Sequence, residues 1–200
     1  MEPKDLNEEL GNSDIYLIDQ ILKNRFDPGG RILDAGCGEG RNMTWFIRND
    51  FNIYGMDISP EAVRMARLIA RSNNRNFTTE NILEASIEDN PFPDGFFDCI
   101  LCINVLHSAK DKDHFFSMVL ALNRILNDQG RILISMTSEF NDPGKKTIDV
   151  QVSRFKLNGE ILDELGNIFQ AGSIEPLRTL QIEGKESISY FWMSKKTSFR

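Results

Sequence analysis

Cysteine is scarce in this sequence. Three cysteines, an odd number, build no disulfide framework and point to a reducing compartment. Histidine is scarcer still, at two residues, so few side chains titrate near neutral pH. Positive charge is in deficit. The net charge is −7 and the basic runs are only the pairs Lys145-Lys146 and Lys195-Lys196, which argues against a nucleic-acid backbone as principal partner. No apolar stretch approaches the ~20 residues of a membrane span. Met1-Glu2-Pro3-Lys4-Asp5 lacks the charged-then-apolar pattern of a secretory leader. The expected location is therefore cytoplasmic, with no membrane and no nucleic acid among the partners. No internal repeat, low-complexity segment or domain linker is present.

What remains is ordinary globular composition, 40% hydrophobic and 26% charged over 200 residues. That length suits one domain with a sizeable core. Cys99-x-x-Cys102 formally matches half of a redox or zinc motif. It lies inside the apolar run Cys99-Ile100-Leu101-Cys102-Ile103, which reads as a strand, so the two thiols should face opposite ways. With no second pair to complete a zinc site, both read as core cysteines and no metal is expected.

The most informative stretch runs from Arg31 to Asn42, Arg-Ile-Leu-Asp-Ala-Gly-Cys-Gly-Glu-Gly-Arg-Asn. Ile32 and Leu33 end a buried strand, three glycines alternate, and an amphipathic segment begins at Asn42. Glycine serves where the backbone takes positive φ or approaches a ligand closely. A helix opening after such a turn would point free N–H groups at that ligand. A dinucleotide fingerprint, Gly-x-Gly-x-x-Gly, would need its third glycine at Arg41. A nicotinamide oxidoreductase is thereby disfavoured.

The rest of the chain alternates helix and strand. Residues 5–25 read as a helix, with Ser13 or Asp14 as a cap. Strands are expected at 31–34, 51–56, 76–80, 97–103 and 131–136. Asn81 to Ser86 reads as a loop or brief helix. Ser59-Pro60 opens a helix with Ala62, Val63, Ala66, Ile69 and Ala70 inward. A further helix runs from Lys110 or Asp111 to about Asn127, closed by Gly130. Asn158 caps another, with Ile161, Leu162, Leu165, Ile168 and Phe169 inward. Two strands, 173–183 and 187–195, join near Glu183-Gly184-Lys185. This predicts an α/β doubly wound sheet with one antiparallel strand near an edge. Asp57, ending the second strand, stands where a carboxylate accepts hydrogen bonds from ribose hydroxyls.

Asp34-x-Gly36-x-Gly38-x-Gly40 resembles the first motif of the class I S-adenosylmethionine-dependent methyltransferases. Residues 84–98, Glu-Ala-Ser-Ile-Glu-Asp-Asn-Pro-Phe-Pro-Asp-Gly-Phe-Phe-Asp, are similar to the adenine-covering loop of the type 11 methyltransferase family. That loop usually reads Gly-Asp-Ala-Glu-Asp-Leu-Pro-Phe-Pro-Asp, then Phe-Asp. Cys99 to His107 resembles the fourth motif of the same family. The resemblance implies a Rossmann-like methyltransferase sheet of seven strands. In it, residues 1–25 form a helical cap, 26–138 the cofactor-binding core, and 139–200 the acceptor-side segment and strand hairpin. It also implies S-adenosyl-L-methionine as cofactor and S-adenosyl-L-homocysteine as product. Asp34, Ala35, Gly36, Cys37 and Gly38 would then cradle the methionine portion, with Arg41 and Asn42 facing the same pocket. Asp57 would take the ribose, beside Ile58. Ser86 stands where the family places an adenine-binding aspartate, and Ile87 where a flat apolar contact is expected. Cys102 and Ile103 would offer main-chain atoms, and His107 would sit at the mouth of the site. The Gly38-Glu39-Gly40-Arg41-Asn42 turn is also similar to that of tellurite-resistance and thiopurine-type small-molecule methyltransferases.

The expected reaction is in-line transfer of a methyl group to a small molecule, with His107 as candidate base for a hydroxyl or protonated amine. Ile103-Asn104-Val105-Leu106 lacks the Asn/Asp-Pro-Pro-aromatic motif of enzymes that methylate base or glutamine nitrogens. No Pro-Cys nucleophile is present either. A small apolar or soft acceptor is the default. The competing expectation is a regulatory or assembly protein on the same fold that binds the cofactor without turnover.

Overall fold

The computed structural model describes residues 10–138, 156–181 and 187–196. Five helices and seven strands account for most of them. The helices are α1 (Ile15–Leu22), α2 (Thr44–Arg48), α3 (Pro60–Asn73), α4 (Lys112–Ile125) and α5 (Gly159–Ile168). The strands are β1 (Arg31–Ala35), β2 (Asn52–Asp57), β3 (Ile82–Glu84), β4 (Phe97–Ile103), β5 (Leu126–Ser138), β6 (Ala171–Gln181) and β7 (Ser187–Lys195). They form one sheet in the order β3-β2-β1-β4-β5-β7-β6. β1 pairs in parallel with both β2 and β4, while β7 runs antiparallel to β5 and β6. This is the doubly wound α/β sheet, with the antiparallel strand one place in from the edge.

Strand alternation sorts the core into two layers. Leu33, Ile100, Cys102, Ile132, Ile134, Phe191 and Met193 face α4 and α5. Ile32, Ile53, Leu101, Ile103, Leu133 and Trp192 face α1, α2 and α3. Cys99 joins the second layer and Cys102 the first, so the two thiols lie on opposite faces. Burial raises both above the ordinary thiol range, Cys99 to about 12. Neither is a nucleophile at neutral pH.

The helix expected over 5–25 is broken in its described part. Gly11 takes φ +62°, and Asp14 then opens α1 as its cap by accepting from the N–H groups of Tyr16 and Leu17. Ser59 caps α3 and Asn158 caps α5, as their sequence positions predict. Strand β3 falls at 82–84, not 76–80. Residue 82 must meet Gly55 across the sheet, and Ile82 is fully buried while Thr79–Asn81 form a 3₁₀ turn. Three residues carry no periodicity to read. Helix α4 ends at Ile125 rather than Asn127. Leu126 leaves it to pair with Phe97, and Gln129 at φ +70° turns the chain before Gly130, where a Cβ would meet Leu126 Cδ1 at 2.7 Å. Residues 5–9, the 141–146 loop and the turn expected at Glu183-Gly184-Lys185 lie outside the described residues.

Two buried bonds pin α1 to the far side of the sheet. Trp192 Nε1 donates to Gln20 Oε1 at 2.9 Å and Tyr190 Oη donates to Asp14 Oδ2 at 3.0 Å. Trp192→Phe removes volume and leaves the buried Gln20 amide without its donor. It should lower stability by about 2 kcal/mol, read as a lower urea midpoint at unchanged slope.

Candidate functional site

The glycine turn sits at the carboxyl end of β1, where β2 and β4 flank it. In an open parallel sheet, ligands bind outside the carboxyl ends of the strands, where the order reverses. Here that crevice lies between β1 and β4. Gly36, Gly38 and Gly40 all take left-handed φ, +76°, +54° and +83°. Two of them differ instructively. A Cβ on Gly36 would lie 2.5 Å from Val105 Cγ2, whereas one on Gly38 would enter open space with nothing within 4 Å. The first glycine is required by packing, and the second leaves a hollow that the protein itself does not fill.

The turn is held from below. The N–H groups of Gly36 and Cys37 donate to Met56 O at 2.8 and 2.9 Å. The Gly38 N–H donates to Asp57 Oδ2 at 2.9 Å, and Ser59 N–H to Asp57 Oδ1 at 2.9 Å. An ionised carboxylate has about four acceptor positions, so two remain on Asp57 for another donor. The expected helix start at Asn42 is instead a turn. α2 begins at Thr44, and Gly40 N–H and Met43 N–H bond within the loop to Cys37 O and Gly40 O. Much of the N–H array expected to face a ligand is used to build the loop.

Asp34 is the electrostatic centre of the site. It lies on the α1–α3 face of β1, 1% exposed, and its Oδ2 has no hydrogen-bond partner. Burial, partly offset by Arg41 and reinforced by Asp57, raises its carboxyl to about 7. A buried carboxylate oxygen without a donor is costly. Such an oxygen could accept from a cationic or hydrogen-bonding group.

The other predicted residues divide. Ala35 and Cys37 are buried beneath the turn, and Arg41 is exposed at its rim. Asn42 is buried and accepts from Asp14 N–H at 2.9 Å, while Ser13 Oγ donates to Arg41 O at 3.1 Å. Ile58, next to Asp57, is 72% exposed. Ser86 Oγ accepts from Asp89 N–H at 3.2 Å and so shapes its own loop. Ile87 is packed into the α4 side of the core rather than left open. Cys102 and Ile103 are buried at the end of β4, and His107 is half-buried in the 3₁₀ turn Leu106–Ser108.

Sequence reading missed two features. His114 accepts from Lys110 N–H at Nδ1 and meets Glu88 Oε1 through Nε2 at 3.0 Å. This ties the head of α4 to the 84–92 loop. Asp14, Tyr190, Ser135 and Asn104 form a polar cluster beside the turn, drawn from four separate elements. No local pattern announces either. Hollows of about 300 Å³ beside α3 (Arg64, Arg67, Arg71) and about 240 Å³ at the amino ends of the strands (Arg25, Asp98, Arg131) lie away from the turn. Among the described residues no group of three potential metal ligands gathers and no helix is long and apolar enough to cross a membrane.

Residues 33–134 match a family described as the methyltransferase domain. The chain belongs to that methyltransferase family. S-adenosylmethionine is the cofactor of its class I, Rossmann-like members. Over 120 residues the chain is 26% identical to a ubiquinone biosynthesis O-methyltransferase of Xanthomonas campestris, covering 59% of this chain and 47% of that one. The chain spans about half the length of the curated relatives it matches. The YcgJ protein from Bacillus subtilis shares the fold at TM-score 0.70 and 16% identity, over 92% of this chain and 100% of that one. The magnesium protoporphyrin IX methyltransferase from Synechocystis, solved with bound S-adenosylmethionine, does so at TM-score 0.66 and 16% identity, over 90% and 77%.

Two predictions test the site's energetics. Because Asp34 titrates above its ordinary value, the folded protein holds a proton there that the unfolded chain has lost. Its contribution to stability therefore falls as pH rises from about 4 to about 7. Wild type should lose up to ~4 kcal/mol relative to Asp34→Asn between pH 4 and pH 8, measured as urea stability at each pH. Gly38→Ala should cost about 1 kcal/mol through its left-handed φ and abolish S-adenosylhomocysteine binding. Gly36→Ala should lose several-fold more stability, because Val105 must move; calorimetry and thermal melts separate the two.

Proposed function

We propose that this protein transfers the methyl group of S-adenosylmethionine to a small-molecule acceptor. The observation that carries the reading is the unpartnered Asp34 oxygen beside the open space at Gly38, in the crevice between β1 and β4. The cofactor's ammonium group matches a buried carboxylate that lacks a donor, and the ribose hydroxyls match the two free positions on Asp57. Ile58 supplies an exposed apolar face for the adenine ring, with Ser86 and the Ile87 main chain on the loop opposite. Arg41, at the rim, faces the cofactor's carboxylate. Ala35, Gly36 and Cys37 form the floor, and Cys102 and Ile103 close it on the β4 side. The net charge of −7 complements a cofactor that carries a net positive charge.

When bound, the cofactor supplies an activated methyl on a positively charged sulfur. The chain's task is to align an acceptor lone pair and to keep water out. Asp34 and Asp57 would hold the cofactor's ammonium group and its ribose hydroxyls. His107, one short turn beyond β4, is placed to receive a proton from the acceptor. The X. campestris relative acts on oxygen by its name, which supports a small acceptor without naming this one.

Isothermal titration with S-adenosylhomocysteine tests the reading. Wild type should bind in the micromolar range, and Asp34→Asn and Asp57→Ala should each weaken binding at least ~10-fold. No binding by a folded wild type would sink the cofactor assignment. Labelled S-adenosylmethionine incubated with metabolite pools should yield a methylated small molecule. An undiminished rate in His107→Ala at saturating acceptor would remove His107 from the proton path.

A further inference from the structure

The cofactor reading sets a direction across the sheet. Asp57, which would hold the ribose, ends β2, and Asp34, which would hold the ammonium group, lies near the end of β1. Continuing from β2 through β1 across the sheet leads to β4, β5 and β7. There, polar side chains stand at a depth where the core is otherwise apolar. Asn104 follows β4 directly, in the left-handed region at φ +59°. Its N–H donates to both Ser135 O and Ser135 Oγ at 3.0 Å, and Ser135 Oγ donates to Asn104 Oδ1 at 3.2 Å. The next residue, Val105, is the one that closes against Gly36. Asn104 is thus fixed at the mouth of the crevice and half-exposed there.

Behind it stands a buried pair. Tyr190 on β7 is 5% exposed and Asp14 7%. The phenol donates to Asp14 Oδ2, and the Ser135 and Asn104 side chains lie against the same phenol. Burial, then the charge of Asp14, holds Tyr190 well above its ordinary range. It stays protonated and acts as a donor, never as a base. Asp14 is itself locked by the N–H groups of Tyr16 and Leu17 and by its own N–H on Asn42. Tyr16 packs against Tyr190 with ring centroids 4.3 Å apart and the rings tilted by 37°. Four elements converge to hold one asparagine amide, which is more fixation than a surface turn requires.

We propose that Asn104 is the acceptor-contacting residue, with Ser135, Tyr190 and Asp14 positioning it, and that the acceptor presents an N–H or O–H group to the remaining lone pair of Asn104 Oδ1. This rests on the cofactor reading above and names the acceptor class within it: an amine or hydroxyl compound rather than a thiolate or an apolar carbon nucleophile. A carbonyl oxygen accepts from a proton-bearing nucleophile and offers nothing to a thiolate. The carboxylates of Asp14 and Asp34 make the surroundings electron-rich and favour the same choice.

The contact is testable without knowing the acceptor. Sinefungin carries an amino group in place of the sulfonium methyl, so its amine would stand at the methyl position with N–H groups that can reach an acceptor oxygen lining the acceptor side. Wild type should bind sinefungin ~10-fold tighter than S-adenosylhomocysteine by calorimetry. Asn104→Gly keeps the left-handed backbone and deletes the amide; the ratio should fall to about one while S-adenosylhomocysteine affinity is unchanged. Asn104→Asp retains the acceptor oxygen and should retain the preference. Tyr190→Phe should reduce the preference by ~3-fold through loss of positioning. An unchanged ratio in a folded Asn104→Gly protein that still binds S-adenosylhomocysteine overturns the contact. Absence of any S-adenosylhomocysteine binding by wild type overturns the cofactor reading, and this one with it.

Discussion

The structure depends on a lack of room. Between the end of β2 and Val105 the chain must turn out of β1 with no space for a Cβ at residue 36. Once Gly36 is admitted there, its N–H and that of Cys37 are drawn onto Met56 O, and Asp57 can take the N–H of Gly38. The same carboxylate caps the start of the next connection through Ser59. One steric constraint thus fixes the turn, the orientation of Asp57 and the entry into α3. The open space at Gly38 is what remains after those demands are met.

Much of this was legible because it is local. The alternation of apolar residues in β1, β4 and β5, the caps Ser59 and Asn158, and the glycine spacing are each written within a few residues. The opposite facing of Cys99 and Cys102 follows from strand period alone. Where sequence reading failed, the deciding interaction came from elsewhere in the chain. The position of β3 is set by pairing with Gly55, and the end of α4 by the pull of Phe97 on Leu126. The apolar pattern of residues 15–22 shows a helix but not that Gly11 breaks it from what precedes. In the candidate site, Gly38 and Asp57 could be proposed from spacing and Asp34 from the family resemblance. The packing of Ile87 into the core and the use of Ser86 within its own loop could not, because both depend on how the 84–92 loop is tied to α4 by His114 and Glu88.

The polar cluster at Asn104 changes the expectation for the acceptor. A soft or apolar acceptor was the default when the only visible polar candidate was His107. Asp14 reads locally as a helix cap and Tyr190 as an ordinary strand residue, and each does fill that role. Their second role exists only because α1 lies across the end of β7. A side chain that satisfies a local rule gives no hint of a distant partner.

That arrangement has a consequence for how the protein comes into being. The Asp14–Tyr190 and Gln20–Trp192 bonds join residues 176 and 172 positions apart. Contacts of such high sequence separation form late, because closing a long loop carries an entropic cost before any contact rewards it. During synthesis Asp14 and Gln20 emerge well before the strand that carries their partners. Helix α1 therefore cannot settle beside the glycine turn until β7 has been laid between β5 and β6. A nascent chain holding every glycine of the turn is still unable to complete the wall beside it until β7 has been made.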